Sequence, residues 1–128
     1  MRVLLLIVVT GLAACGEAEP AAPPAARTSV AITVDRDGEG GAAARTVRLR
    51  CPSPRREAAC RALAALPRDA FAPPPGDQVC TEIYGGPETA RIAGTVDGRR
   101  VDATYARTDG CGIARFERVA GVLRAAGG

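Results

Sequence analysis

Ala90-Arg91-Ile92-Ala93-Gly94-Thr95-Val96-Asp97-Gly98-Arg99-Arg100-Val101-Asp102-Ala103-Thr104-Tyr105 decides how this chain folds. Ala90, Ile92 and Val96 keep an apolar alternation on one side of Asp97-Gly98, and Val101, Ala103 and Tyr105 keep it on the other. A side-chain period of two is that of a strand with one buried face. Asp-Gly is suited to the two positive φ angles of a tight two-residue turn, whose twist matches the flanking strands. The stretch predicts an antiparallel hairpin with one face turned to a core.

The same period appears upstream. Val30, Ile32 and Val34 share a face of a strand over residues 29–35, and Val47, Leu49 and Cys51 share a face of another over 46–51. Asp35-Arg36-Asp37-Gly38-Glu39-Gly40-Gly41 between them has the composition of a turn, so the two are expected to pair antiparallel. A helix is expected next, with Ser53 as its cap, Pro54 in its first turn and Pro67 at its end. Ala59, Leu63 and Leu66 recur at i, i+4, i+7 and form its core face. Pro73-Pro74-Pro75-Gly76 is a stiff connection without a period, and a short second helix follows Gly112 before the chain fades into Ala-Ala-Gly-Gly. Glu88, Arg91 and Arg107 read as a solvated strand face. The expected class is α+β: a small antiparallel sheet covered by one main helix (53–67) and a short second one.

Composition removes several kinds of function. The chain has 128 residues, enough for one small domain. All 17 basic residues are Arg and there is no His, which excludes Ser/His/Asp and Cys/His catalysis and His-ligated zinc. No Cys-x-x-Cys pair is present, so no metal site is expected, and neither is a cofactor. A formal charge of +3, spread among acids and accompanied by few aromatics, gives no nucleic-acid footprint. No catalytic constellation is visible, and the chain is read as a non-enzyme.

The amino terminus speaks to compartment. Met1-Arg2 precedes the apolar run Val3-Leu4-Leu5-Leu6-Ile7-Val8-Val9, too short to remain as a membrane span, and residues 1–14 read as a signal peptide. Leu12-Ala13-Ala14-Cys15-Gly16 resembles the bacterial lipobox, in which the Cys is acylated and becomes the mature terminus. Cys15 is thus the expected lipidation site and the only expected link to a membrane. An Ala/Pro-rich disordered tether over 15–28 leads to a domain over 29–128. Setting Cys15 aside leaves four of the five Cys, a number suited to two disulfides in an exported protein. Four Cys allow three pairings; the local, unnested one joins Cys51–Cys60 and Cys80–Cys111.

Val79-Cys80-Thr81-Glu82-Ile83-Tyr84-Gly85-Gly86-Pro87 is the stretch that points to function. Side chains with extended preference follow a Cys and stop at a Gly-Gly-Pro break. A strand-like loop held by a disulfide suits a protease cleft, because proteases bind substrates extended and an ordered strand loses little entropy on binding.

Val47-Arg48-Leu49-Arg50-Cys51, Ala58-Ala59-Cys60-Arg61-Ala62-Leu63, Cys80-Thr81-Glu82-Ile83-Tyr84, Gly94, Gly98-Arg99-Arg100-Val101 and Thr108-Asp109-Gly110-Cys111 together resemble the subtilisin inhibitor family of bacterial secreted proteins. The resemblance implies a serine endopeptidase inhibitor whose reactive bond is Glu82–Ile83. Cys80, Thr81 and Tyr84 would be contacts of the loop, and Asp109 a polar brace for it. It also implies an antiparallel sheet with helices and a homodimer packed through its sheets. The partner would be an extracellular serine protease. Family members often carry Pro where Thr81 stands, and Met or Lys where Glu82 stands. Glu82 therefore directs the expectation away from strong subtilisin binding and toward a protease with a basic or polar pocket, such as a Glu-specific one. The competing expectation is a lipid-anchored envelope binding or structural module that keeps this fold without inhibiting.

Overall fold

A computed structural model describes residues 27–127. Four strands, β1 (Thr28–Asp35), β2 (Arg45–Cys51), β3 (Thr89–Val96) and β4 (Arg99–Ala106), form one antiparallel sheet in the order β2-β1-β3-β4. Two helices, α1 (Glu57–Ala64) and α2 (Gly110–Ala126), cover one face. The expected α+β class, the antiparallel sheet and both disulfides are present.

The hairpin read from the sequence is β3–β4. Val96 faces Arg99 across the turn, and Asp97 and Gly98 take φ of 48° and 80°, the two positive angles such a turn needs. The start of the domain closes on this tip: Asp97 N–H donates to Thr28 Oγ1 at 3.1 Å and Gly98 N–H to the Arg27 carbonyl at 2.8 Å. The strand thus begins at Thr28, one residue earlier than expected. Gly94 has φ 142° and lies against the Ser29 carbonyl of β1, so a side chain there would collide with the neighbouring strand.

Alternation gives the sheet two unlike faces. Val30, Ile32, Val34, Leu49, Ala90, Ile92, Ala103 and Tyr105 point into the core with Ala59, Leu63, Phe116, Val119, Val122 and Leu123 from the helices. Tyr105 Oη donates to the Ala70 carbonyl at 3.0 Å, so the buried phenol is satisfied, and burial raises its pKa. The other face is solvated. There Arg91 and Asp102 form a two-bonded ion pair across β3 and β4 at 2.7–2.8 Å, and the Arg91 hydrogen bonds hold the Asp102 carboxyl below its ordinary value.

The helices differ from expectation in which is the longer. The main helix is α2, with 17 residues, whereas α1 has 8. Pro54–Arg56 forms a 3-10 turn ahead of α1, and the Ser53 side chain makes no capping bond. Asp109 caps α2 instead, its Oδ1 accepting from Gly112 N–H at 2.7 Å, and Gly127 closes the helix in a left-handed conformation.

Asp35 ends β1 as a buried acid. The neighbouring Asp37 carboxyl, which can donate to Asp35 when protonated, and the Gly40 N–H, 2.6 Å from Oδ2, favour the Asp35 carboxylate and lower its pKa despite burial. A depressed carboxyl stabilises the fold above its unfolded pKa, and that contribution is lost as pH falls through the lower folded value. Asp35→Asn is expected to reduce stability at pH 7 and to remove part of the loss the wild type suffers below about pH 4. Urea midpoints of both proteins at pH 7 and pH 2.5 check this; parallel losses would reject it.

Candidate functional site

Residues 78–86 have no regular secondary structure, yet they are tied down at both ends. The Cys80–Cys111 disulfide, with Cα atoms 5.4 Å apart, joins the segment to the first turn of α2. One residue on, the Thr81 carbonyl accepts from Gly110 N–H and from Ile83 N–H, both at 2.9 Å. The second of these bonds closes a three-residue turn centred on Glu82. Gly85 N–H then donates to the Arg107 carbonyl at 2.7 Å. Glu82, Ile83 and Tyr84 lie between these two attachments and face solvent.

The exposed large hydrophobic side chains among the described residues are Val79 at 95%, Ile83 at 57% and Tyr84 at 66%. All three fall in this one segment. Single exposed apolar residues are ordinary, but three within six positions on a fixed loop form a contact surface. Tyr84 is thus outside the core.

Two glycines let the loop sit so low. A Cβ at Gly110 would run into Thr81 Oγ1, and one at Gly85 would lie 2.7 Å from Ile113 Cγ1. Gly110→Ala and Gly85→Ala are each expected to push the loop off α2, with about 1–3 kcal/mol lost from overpacking. Urea unfolding gives the energy, and faster exchange of the Gly110 and Gly85 amides gives the location. Unchanged exchange in both variants would show that the loop is not held from beneath.

The structure brings Cys80, Thr81, Glu82, Ile83 and Tyr84 together with Asp109 and Cys111 at the α2 N-terminus. Asp109 does not bond the loop directly. Its side chain caps α2 through Gly112, and so orders the Gly110 N–H that holds Thr81. The Asp109 carboxylate and the sulfurs of Cys80 and Cys111 lie within 4.8 Å of one another, but both sulfurs are committed to their mutual bond. Cys15 lies outside the described residues.

Arg107 departs from the solvated strand face expected of it. Its guanidinium stacks 5.3 Å from the Phe116 ring centroid and meets Glu117 at 3.2 Å and Glu88 at 3.9 Å. That packing fixes the carbonyl that receives Gly85. Val79, Gly85 and Gly110 lie in stretches the sequence points to but were given no role of their own there, and Arg107 was given a different one. Val79 breaks from any alternating pattern, which is its one local signal; the others act through contacts distant in the chain.

No described helix is long and apolar enough to cross a membrane. Two disulfides are consistent with an extracellular protein. Comparison with protein-family models, with curated proteins and with solved structures finds no match to this chain.

Proposed function

We propose that this protein inhibits an extracellular serine protease by presenting Thr81-Glu82-Ile83-Tyr84 as a substrate that is cut slowly and resealed readily. The observation that carries the reading is the exposed, partly apolar segment 79–84 held on both sides of the Glu82–Ile83 bond. In this mechanism the protease serine hydroxyl attacks the Glu82 carbonyl and the proton passes through its base to the Ile83 nitrogen. The acyl side stays tied through Thr81, Gly110 and the Cys80–Cys111 bond. The amine side stays tied through Gly85 and Arg107. Neither new end can leave, so the amine remains in reach of the acyl group and religation competes with water by proximity. Order already present in the free loop reduces the entropy lost on binding.

Glu82 selects the target. A carboxylate entering an apolar pocket loses its water without gaining a partner, whereas a basic or polar pocket supplies one. The partner in this reading is a Glu-specific or otherwise polar-pocketed protease, with subtilisin-like enzymes bound more weakly. The protein is exported and held by acylation of Cys15 to the outer face of the cell membrane. Assay against subtilisin-like, trypsin-like and Glu-specific proteases, with Glu82→Ala beside the wild type, tests the proposal. Inhibition of at least one enzyme that weakens in the variant is expected; no inhibition of any, or inhibition indifferent to Glu82, rejects it.

A further inference from the structure

The solvated face of the sheet is charged unevenly along its length. Register places Arg50, Ser29, Thr95 and Arg100 in one row across the four strands, with Arg48, Ala31, Ala93 and Asp102 in the next. Arg91 follows in the third row and is paired with Asp102. Arg48, Arg50 and Arg100 are exposed and form no ion pair with a described residue. Asp35, the acid at the far end of the same face, is buried beneath its own loop, which carries the further acids Asp37 and Glu39. Arg27 and Arg99 add charge at the basic end, against Asp97 in the turn. Arg48, Arg50 and Arg100, with Arg27 and Arg99 beside them, thus form one cluster of exposed Arg without an ion pair to a described residue at this end of the sheet.

That end is also where the chain enters the domain, at Thr28, and it is the end away from the loop. β3 runs from Thr89, beside the loop, to Val96 at the basic end. At roughly 3.3 Å per residue the two ends are about 25 Å apart.

We infer that the basic end of this face, through Arg48, Arg50 and Arg100, docks on the anionic headgroups of a phospholipid bilayer. Besides the Arg side chains these two rows carry Ser29, Ala31, Ala93 and Thr95, all small, and Asp102, whose charge is neutralised by Arg91, so no bulky side chain keeps a planar surface away. No aromatic lies on it to stack a base, which disfavours nucleic acid. A second copy packed through the same end would set like charges against each other. Docked this way, the domain keeps residues 79–84, at the opposite end of the sheet, clear of the contact. The inference rests on charge and register and does not need the inhibitory reading or the acyl group.

The test uses the chain from Gly16 onward, which has neither leader nor Cys15, with vesicles of phosphatidylglycerol and of phosphatidylcholine. Cosedimentation with phosphatidylglycerol at 50 mM salt is expected, with none on phosphatidylcholine and loss at 0.5 M salt. Each Arg at an anionic surface is worth about fivefold, so Arg48→Ala/Arg50→Ala/Arg100→Ala is expected to weaken partitioning by about 100-fold. Arg55→Ala/Arg61→Ala/Arg124→Ala removes the same charge from the helical side and is expected to change it by less than about fivefold. Melting curves verify that both variants are folded. Equal losses in the two triple variants, equal binding to both lipids, or tighter binding of the same Arg set to soluble polyphosphate than to vesicles would each overturn the inference. Protease assays on the same variants are expected to be unchanged, which separates this result from the fate of the inhibitor proposal.

Discussion

Cys80→Ser/Cys111→Ser is expected to lower the melting temperature by about 15–25 °C and to cost more inhibition than any other change of two residues outside segment 81–84. The bond closes a loop with a sequence separation of 31, and a crosslink over about 30 residues removes unfolded-chain entropy worth about 3.5 kcal/mol. Cys51–Cys60, with a separation of 9, is worth about 2.7 kcal/mol on the same basis. Energy alone therefore separates the two bonds only modestly. Position separates them strongly. Cys51–Cys60 fastens the end of β2 to α1, remote from the loop, whereas Cys80–Cys111 lies one residue from the Thr81 carbonyl. Without it, the acyl side of Glu82 is held by hydrogen bonds alone, each worth about 1 kcal/mol net. Cys51→Ser/Cys60→Ser should thus lower the melting temperature while leaving inhibition nearly intact at temperatures where the domain is folded. Calorimetry with inhibition assays at 10 °C distinguishes the two. Equal loss of inhibition from both double variants would mean that the loop draws its order from the domain as a whole and not from its own bridge.

What local chemistry dictates was legible in this chain, and what packing dictates was not. Asp97-Gly98 announces its turn because few other pairs accept two positive φ angles, and the alternation around it sets which side chains face the core. Helix length was misjudged because α2 carries glycines at positions 110, 112 and 121, which weaken helix propensity. The helix persists because Phe116, Val119, Ala120, Val122, Leu123 and Ala126 are buried, and tertiary burial outweighs propensity. Ser53 looks like a cap, but the turn that follows it is 3-10, and its side chain makes no bond. Arg107 was misread for a similar reason. Beside a strand an Arg is ordinarily solvated, and only the arrival of Phe116 from α2 turns this one inward. The loop residues were legible as a group because a Cys, several extended-preferring side chains and Gly-Gly-Pro are adjacent in sequence. Gly110 and Gly85 were not, since the need for a missing Cβ appears only where Thr81 and Ile113 approach them.

Glu82→Met is the exchange with the largest expected effect on binding. Glu82 is exposed and accepts no hydrogen bond from a described side chain, so the substitution should leave the melting temperature within about 1 °C. Its consequence lies in the complex. Moving a carboxylate into an apolar pocket without a partner costs about 2–4 kcal/mol, and a thioether of similar length removes that cost and adds apolar burial. Affinity for a subtilisin-like protease is therefore expected to rise by about 30–1000-fold, while affinity for a Glu-specific protease falls by a similar factor as its basic pocket loses its anion. The crossing of the two affinities is the informative result, because a general loosening of the loop would lower both together. Inhibition constants for wild type, Glu82→Met and Glu82→Gln against both enzymes supply it. Glu82→Gln keeps the shape and removes the charge, so it should fall between the other two on each enzyme. If all three proteins bind a given enzyme alike, residue 82 does not enter a pocket. The exposed apolar trio Val79, Ile83 and Tyr84 would then serve a contact other than the one made by a substrate.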